Sequence, residues 1–222
     1  MVSFLEIDSI EKVFNQKKIL SNIHLKCEIG EIIGLFGKNG SGKSTLLKII
    51  FGTEACNHKF IRINNLVVKK LFKVKNGVSY LPQFQFIPST LTVSMAFKLF
   101  LLESELESIL EDEIIKPILK NKISSLSTGE QRYISLILTL HSSSKFCLLD
   151  EPFSGISPIL IENIKQKIIK TSKYKGIIIT DHNYLNLLDI VTKIYLLKEG
   201  STLLLKNKGE LIDYGYLNEG ML

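Results

Sequence analysis

Gly37-Lys38-Asn39-Gly40-Ser41-Gly42-Lys43-Ser44-Thr45 brings glycines, a lysine and hydroxyls together at the spacing G-x-x-x-x-G-K-S/T, and the chemistry this supports is the cradling of phosphate. The glycines let consecutive backbone amides turn toward an anion, Lys43 reaches the outer phosphates, and the Ser44 hydroxyl can hold Mg²⁺. A second group lies downstream, where Lys145-Phe146-Cys147-Leu148-Leu149 leads into Asp150-Glu151. An apolar strand that delivers two carboxylates suits hydrolysis of a phosphoanhydride: Asp150 is assigned to Mg²⁺ and Glu151 to the attacking water. The third group is Leu126-Ser127-Thr128-Gly129-Glu130. Ser127-x-x-Glu130 is a helix capping box, and a helix N-terminus with a serine hydroxyl and a nearby glycine is also an anion site; the two uses are compatible.

These residues need a scaffold that points them in one direction. Residues 31–36 read as a buried strand feeding the phosphate loop, and Leu46, Leu47, Ile49 and Ile50 as a helix stopped by Gly52. The first 35 residues alternate short apolar segments with turns, which predicts an antiparallel β region. Strands are predicted again at 59–63, 78–81, 146–150, 176–180 and 193–197, several of them separated by helical patterns, as in a mainly parallel α/β sheet. Between Pro88 and Ser144 the pattern becomes helical, at 95–102, 106–115 and 130–140. The chain is therefore expected to be one nucleotide-binding domain over 1–222, with a core of 1–87 and 145–222 and an inserted helical subdomain at 88–144.

Composition bounds the function. The 222 residues are 45% hydrophobic, enough for a substantial core, and the longest apolar runs fall short of the roughly 18 to 20 residues that cross a bilayer. Met1-Val2-Ser3-Phe4-Leu5-Glu6 has no basic region followed by an apolar core, so a secretory leader is not expected. Cys27, Cys56 and Cys147 are odd in number and widely spaced, and read as reduced thiols of a cytosolic protein. The net charge of +6 is carried almost wholly by lysine: of 28 basic residues only Arg62 and Arg132 are arginine. Lys165, Lys167, Lys170, Lys173 and Lys175 read as a solvated helix face, and direct contact with nucleic acid is not expected.

In this order the motifs resemble the ATP-binding cassette (ABC) family along the entire chain. Residues 37–45 are similar to its Walker A loop, Tyr80-Leu81-Pro82-Gln83 to its Q-loop and residues 126–130 to its signature L-S-G-G-Q. Residues 146–151 are similar to its Walker B strand, 154–158 to its D-loop and Thr180-Asp181-His182-Asn183 to its H-loop. The resemblance implies the P-loop NTPase fold, Mg²⁺-dependent ATP hydrolysis, and a head-to-tail dimer in which each ATP lies between the Walker A of one subunit and the signature of the other. It implies that Gln83 serves Mg²⁺ and the lytic water, that Glu151 is the general base, and that His182 contacts the γ-phosphate and orients that base. Phe14 falls where the family places an aromatic against adenine. Ser127, Gly129 and Glu130 would bind nucleotide across the dimer.

Several positions depart from the family pattern. Thr128 and Glu130 stand for a glycine and a glutamine of the signature, Ser157 for a D-loop aspartate, and Leu138 for a common arginine. Ser157 followed by Pro158 still makes an N-cap and N1 pair. One cassette without a membrane segment implies separate transmembrane permease subunits and a peripheral position at the cytoplasmic face of the membrane. The residues around Asp150 and Asp181 are most similar to cassettes of lipopolysaccharide export and branched-chain amino-acid uptake. The alternatives are a soluble ABC ATPase of a non-transport complex, such as iron-sulfur assembly, and a slow nucleotide-dependent switch.

Overall fold

The computed structural model describes residues 3–220, so the leader reading that begins at Met1 and the domain bounds at 1 and 222 extend beyond the described residues. Strands β1 (Phe4–Phe14), β2 (Lys17–Leu20), β3 (His24–Glu28) and β4 (Ile32–Phe36) precede helix α1 (Lys43–Phe51). Then come β5 (His58–Ile63), β6 (Leu66–Val67), β7 (Val78–Leu81), α2 (Val93–Phe100), α3 (Glu103–Leu110) and α4 (Thr128–His141). The remainder is β8 (Phe146–Asp150), α5 (Pro158–Ser172), β9 (Gly176–Thr180), α6 (Tyr184–Leu188), β10 (Lys193–Lys198), β11 (Ser201–Leu205) and α7 (Glu210–Asp213).

Two sheets form. In the first, β1 pairs antiparallel with β2, β3 and β5, and β6 extends it from β5. The second runs β11-β10-β4-β9-β8-β7, parallel from β10 to β7 with β11 antiparallel at its edge. This order makes β4, β9, β8 and β7 neighbours. Their C-terminal ends open side by side into the phosphate loop, Asp181-His182, Glu151 and Pro82-Gln83, on the side where parallel sheets bind ligands.

Period-two alternation explains the burial. Ile33 and Leu35 of β4, with Phe146 and Leu148 of β8, pack against Leu46, Leu47, Ile49 and Ile50 of α1 and against Leu5, Ile7 and Leu25 of the antiparallel sheet. Ile32, Phe36, Cys147 and Leu149 face the opposite way, toward Leu136 and Leu140 of α4 and Ile164 and Ile168 of α5. Helix α1 is thus held between the two sheets, with each buried aliphatic side chain worth about 1.5–3 kcal/mol. Its ends use glycine: Gly42 before it and Gly52 after it sit at φ 103° and 104°, and the Gly52 amide closes on the Lys48 carbonyl.

The segment between β7 and β8 carries three α-helices and two 3₁₀ turns, and among the described residues its one β pairing is the isolated bridge of Thr92 with Lys122. Helix α2 starts before the predicted 95 because the Thr92 hydroxyl caps the Met95 amide at 3.2 Å. The helix expected over 106–115 instead ends at Leu110. Asp112 Oδ1 captures the Ile114 and Ile115 amides at 3.0 and 3.2 Å, a side-chain turn that competes with continued helix.

The lysine series is only in part a solvated face: Lys170 and Lys173 are exposed, whereas the other three are drawn into the fold. Lys165 is buried and pairs with Glu162 at 2.8 Å and Asp189 at 2.7 Å, Lys167 pairs with Asp112 at 2.6 Å, and buried Lys175 donates to the Leu140 carbonyl at 2.7 Å. Helical spacing describes where the Lys165 and Lys167 stems leave α5, and Lys175 lies beyond its end, but the neighbours supply partners the spacing does not reveal. At the start of α5, Ser157 has the extended N-cap backbone and Pro158 follows at N1, yet the Ser157 hydroxyl makes no capping bond. The three cysteines are free thiols, Cys27 and Cys147 buried.

Candidate functional site

The strand order delivers the predicted residues to one cavity of about 630 Å³. Phe14, Asn39, Gly40, Gly42, Lys43, Ser44, Thr45, Gln83, Glu151 and His182 all line it. Gly37 directly follows β4 and Asp150 ends β8, neither lining the cavity, and Ser41 lines a second cavity, its hydroxyl buried without a partner. Ser127, Gly129 and Glu130 are absent from this cavity. They open α4, where the capping box closes as expected: the Ser127 hydroxyl accepts the Glu130 amide at 3.3 Å, and the Glu130 carboxylate accepts the Ser127 amide at 2.8 Å.

In the phosphate loop, Lys43 is 7% exposed and its Nζ donates to the carbonyls of Gly37 at 2.6 Å and Lys38 at 3.2 Å. Burial pushes its ammonium below the ordinary lysine value, with Glu151 and Asp150 pulling the other way. A cation held by two carbonyls has clear reason to exchange them for phosphate oxygens. Beneath the loop, Asp150 is fully buried. Its Oδ1 accepts the Ser44 hydroxyl at 3.0 Å and the Thr180 hydroxyl at 3.4 Å, and its Oδ2 accepts the Tyr80 hydroxyl at 3.1 Å. Burial raises its carboxyl above the usual range, against the opposing bonds from Ser44 and Tyr80.

Glu151 follows β8 with φ 54°, a left-handed backbone that costs a non-glycine residue about 1–3 kcal/mol. Its amide donates to the Thr180 carbonyl at 2.8 Å, which holds it there. The bend turns its carboxylate into the cavity, where Oε2 accepts Gln83 Nε2 at 2.9 Å and Oε1 faces His182 Nε2 at 2.6 Å. The two carboxylates of one strand end thus differ in surroundings: Asp150 is sealed among hydroxyls, whereas Glu151 is held between an amide and an imidazole at the cavity wall. Ser44, Asp150 and the Gln83 amide carbonyl are hard oxygen donors of the kind Mg²⁺ takes, and the orphaned Ser41 hydroxyl suits a loop that encloses an anion.

Three residues assigned no role from the sequence support this arrangement. Arg132, 8% exposed on α4, donates to the carbonyls of Pro82 at 2.5 Å and Glu151 at 3.0 Å and also to that of Asp150, joining the helix behind Ser127 to the ends of β7 and β8. The available signal was its register: it lies one turn from Leu136 on the apolar stripe of α4 and is one of only two arginines. Asp181 accepts the amides of Phe153 at 3.0 Å and Asn183 at 2.9 Å, tying the turn after Glu151 to the His182 loop. Tyr216 sets its ring edge-on to Phe36, the last residue of β4 before the phosphate loop, with centroids 5.8 Å apart.

Comparison with known proteins bears on family and fold. The sequence profile of the family described as ABC transporter matches residues 20–154. The chain is 31% identical over 214 residues to the lipopolysaccharide export system ATP-binding protein LptB of Haemophilus influenzae, across 90% of this chain and 88% of that protein. It is 29% identical over 211 residues to the protein of the same name in Escherichia coli K12, across 88% of this chain and 87% of that protein. A solved structure described as the ATP binding subunit of an ABC transporter matches 95% of this chain and 92% of its own, with a TM-score of 0.83 at 20% identity. A nucleotide-free ATP-binding cassette from an ABC transporter matches 90% of each chain, with a TM-score of 0.77 at 21% identity. At those identities the two structures share the fold.

Proposed function

This chain belongs to the ABC transporter family, and from that membership we propose that it is the ATP-hydrolysing subunit of a transporter whose membrane-spanning parts are separate chains. The observation that carries the reading is Glu151, whose two carboxylate oxygens meet Gln83 and His182 beside the phosphate loop. Lys43 and the loop amides bind the β- and γ-phosphates of ATP, and the exposed ring of Phe14 takes the adenine face. Ser44, Asp150 and Gln83 would hold Mg²⁺, which supplies neutralisation of phosphate charge when bound. Glu151 takes the proton of the attacking water, Gln83 positions that water, and His182 sits against the γ-phosphate while fixing the Glu151 carboxylate.

Ser127 and its neighbours face solvent at the N-terminus of α4, away from the chain's own cavity. That placement supports a head-to-tail dimer in which they close the partner's site. Phe84, Met95, Leu99 and Leu102 are 72%, 57%, 67% and 61% exposed beside Gln83 and on and after α2. An apolar face next to a catalytic loop suits a membrane subunit docking from the cytoplasmic side. No described helix is long and apolar enough to cross a membrane. Lipopolysaccharide, the cargo named for the LptB relatives, is the cargo class to test first.

Glu151→Gln tests the reading in detergent-solubilised membranes. Its hydrolysis rate should fall by about 10²-fold or more, and with ATP it should accumulate as a dimer bound to a polytopic membrane protein. An unchanged rate refutes Glu151 as the base. Recovery with soluble partners alone refutes the transport role in favour of a soluble ABC complex.

A further inference from the structure

Asp150 has two oxygens and no exposure. Oδ1 is taken by hydroxyls of Ser44, at the start of α1, and Thr180, at the end of β9. Oδ2 has the Tyr80 phenol at 3.1 Å. Tyr80 lies on β7, three residues before Gln83, in register with Leu148 of the strand that carries Asp150. Its ring packs on Phe51 at the last turn of α1, centroids 5.3 Å apart. A single side chain therefore touches the helix that follows the phosphate loop and the buried carboxylate, on the strand that leads into the Gln83 loop.

A planar carboxylate in a closed pocket is oriented by whatever holds its second oxygen. With Oδ2 fixed by an O–H donor from β7, Oδ1 is constrained to the Ser44 side, where a cation delivered with nucleotide would meet both groups. Groups that hold a metal-ligating side chain from behind set its geometry and basicity, and their loss commonly lowers metal affinity by about 10–100-fold. We propose that Tyr80 is a positioning residue that locks the Asp150 carboxylate through Oδ2 and thereby sets the affinity of the site for the divalent cation bound with nucleotide. This rests on the ATPase reading above.

Tyr80→Phe removes only the hydroxyl and keeps the ring against Phe51. The measurement is Mn²⁺ binding by electron paramagnetic resonance to the intact chain saturated with ADP, beside ADP binding in EDTA. The expected result is at least about a tenfold weaker Mn²⁺ affinity with metal-free ADP affinity within about twofold, the melting temperature of the free protein serving as the folding control. Tyr80→Leu, which also removes the ring, separates packing from the hydroxyl: it should weaken Mn²⁺ by no less than Tyr80→Phe. An unchanged Mn²⁺ affinity in Tyr80→Phe overturns the role of Tyr80 while leaving the ATPase reading intact. Equal losses of Mn²⁺ and metal-free ADP overturn it as well, because the hydroxyl would then be serving structure alone. A wild-type chain that takes up no Mn²⁺ with ADP overturns the ATPase reading and this role together.

Discussion

At the scale of single residues, the site is built from polar groups placed where solvent would otherwise compete for them. Lys43, Arg132, Asp150 and Asp181 are each under a tenth exposed, and each finds partners inside the fold. Arg132 carries the most connections: its guanidinium satisfies the Pro82, Asp150 and Glu151 carbonyls, which belong to the two strand ends that deliver Gln83 and Glu151. Replacing it leaves buried carbonyls without a donor, and bonds to a charged group are worth about 1.5–3 kcal/mol each. Arg132→Gln should therefore lower unfolding stability by about 3 kcal/mol in urea titrations. Its kcat should fall more than its KM for ATP rises, because Glu151 loses its support while Lys43 and the loop amides stay. A KM effect with unchanged kcat would place Arg132 in nucleotide binding instead.

At the scale of elements, helix ends decide where the functional groups stand. The capping box of Ser127 and Glu130 fixes the first turn of α4 in the free chain, so the solvent-facing serine is held before any partner arrives. Asp112 does the opposite for α3, ending it and binding the segment to its surroundings through Lys167 of α5 and the Tyr133 hydroxyl of α4 at 3.2 Å. Burial pushes the Asp112 carboxyl up, but the Lys167 ammonium and the Ile114 and Ile115 amides together outweigh it and hold the carboxyl below its ordinary value. A depressed carboxyl stabilises the fold above its unfolded value, 3.8, and that contribution disappears as pH falls through the lower folded value. Asp112→Asn should accordingly cost about 1.5–3 kcal/mol at pH 7. The gap to wild type should narrow in urea titrations as pH falls below the ordinary carboxylate value. A difference independent of pH would mean that the amide-capturing turn, which asparagine preserves, is not the issue and that packing was lost.

At the scale of the whole molecule, two regions of the surface differ in character. The ends of β4, β9, β8 and β7 face the cavity, while the segment from Gln83 through α2 leaves an apolar surface uncovered. Under the proposed function that surface docks a membrane subunit. Met95→Ser with Leu99→Ser should leave the basal ATPase rate of the isolated chain unchanged, since neither side chain lines the nucleotide cavity, and should abolish co-purification with a membrane protein. Retention of that partner would move the interface elsewhere.

What the sequence determined by itself was whatever depends on short-range order. The phosphate loop between an apolar strand and an apolar helix, the Asp150-Glu151 strand end and the Ser127-Glu130 capping box each lie within a dozen residues, and local spacing constrains them. So do the main strands, because β4, β8 and β9 are short, nearly continuous apolar runs buried at every position. Their extents, the length of α3 and the fate of the lysines on α5 were less legible, because these are set by distant partners: Lys167 by Asp112 and Lys165 by Asp189. Only the tertiary structure decided that Gln83, Glu151 and His182 share one set of bonds, that Tyr80 and Arg132 stand behind them, and that Ser127 does not reach the chain's own cavity. Hydrogen bonds and desolvation act across space rather than along the chain, so residues 68 positions apart, such as Gln83 and Glu151, become partners only when the sheet order brings their strand ends together.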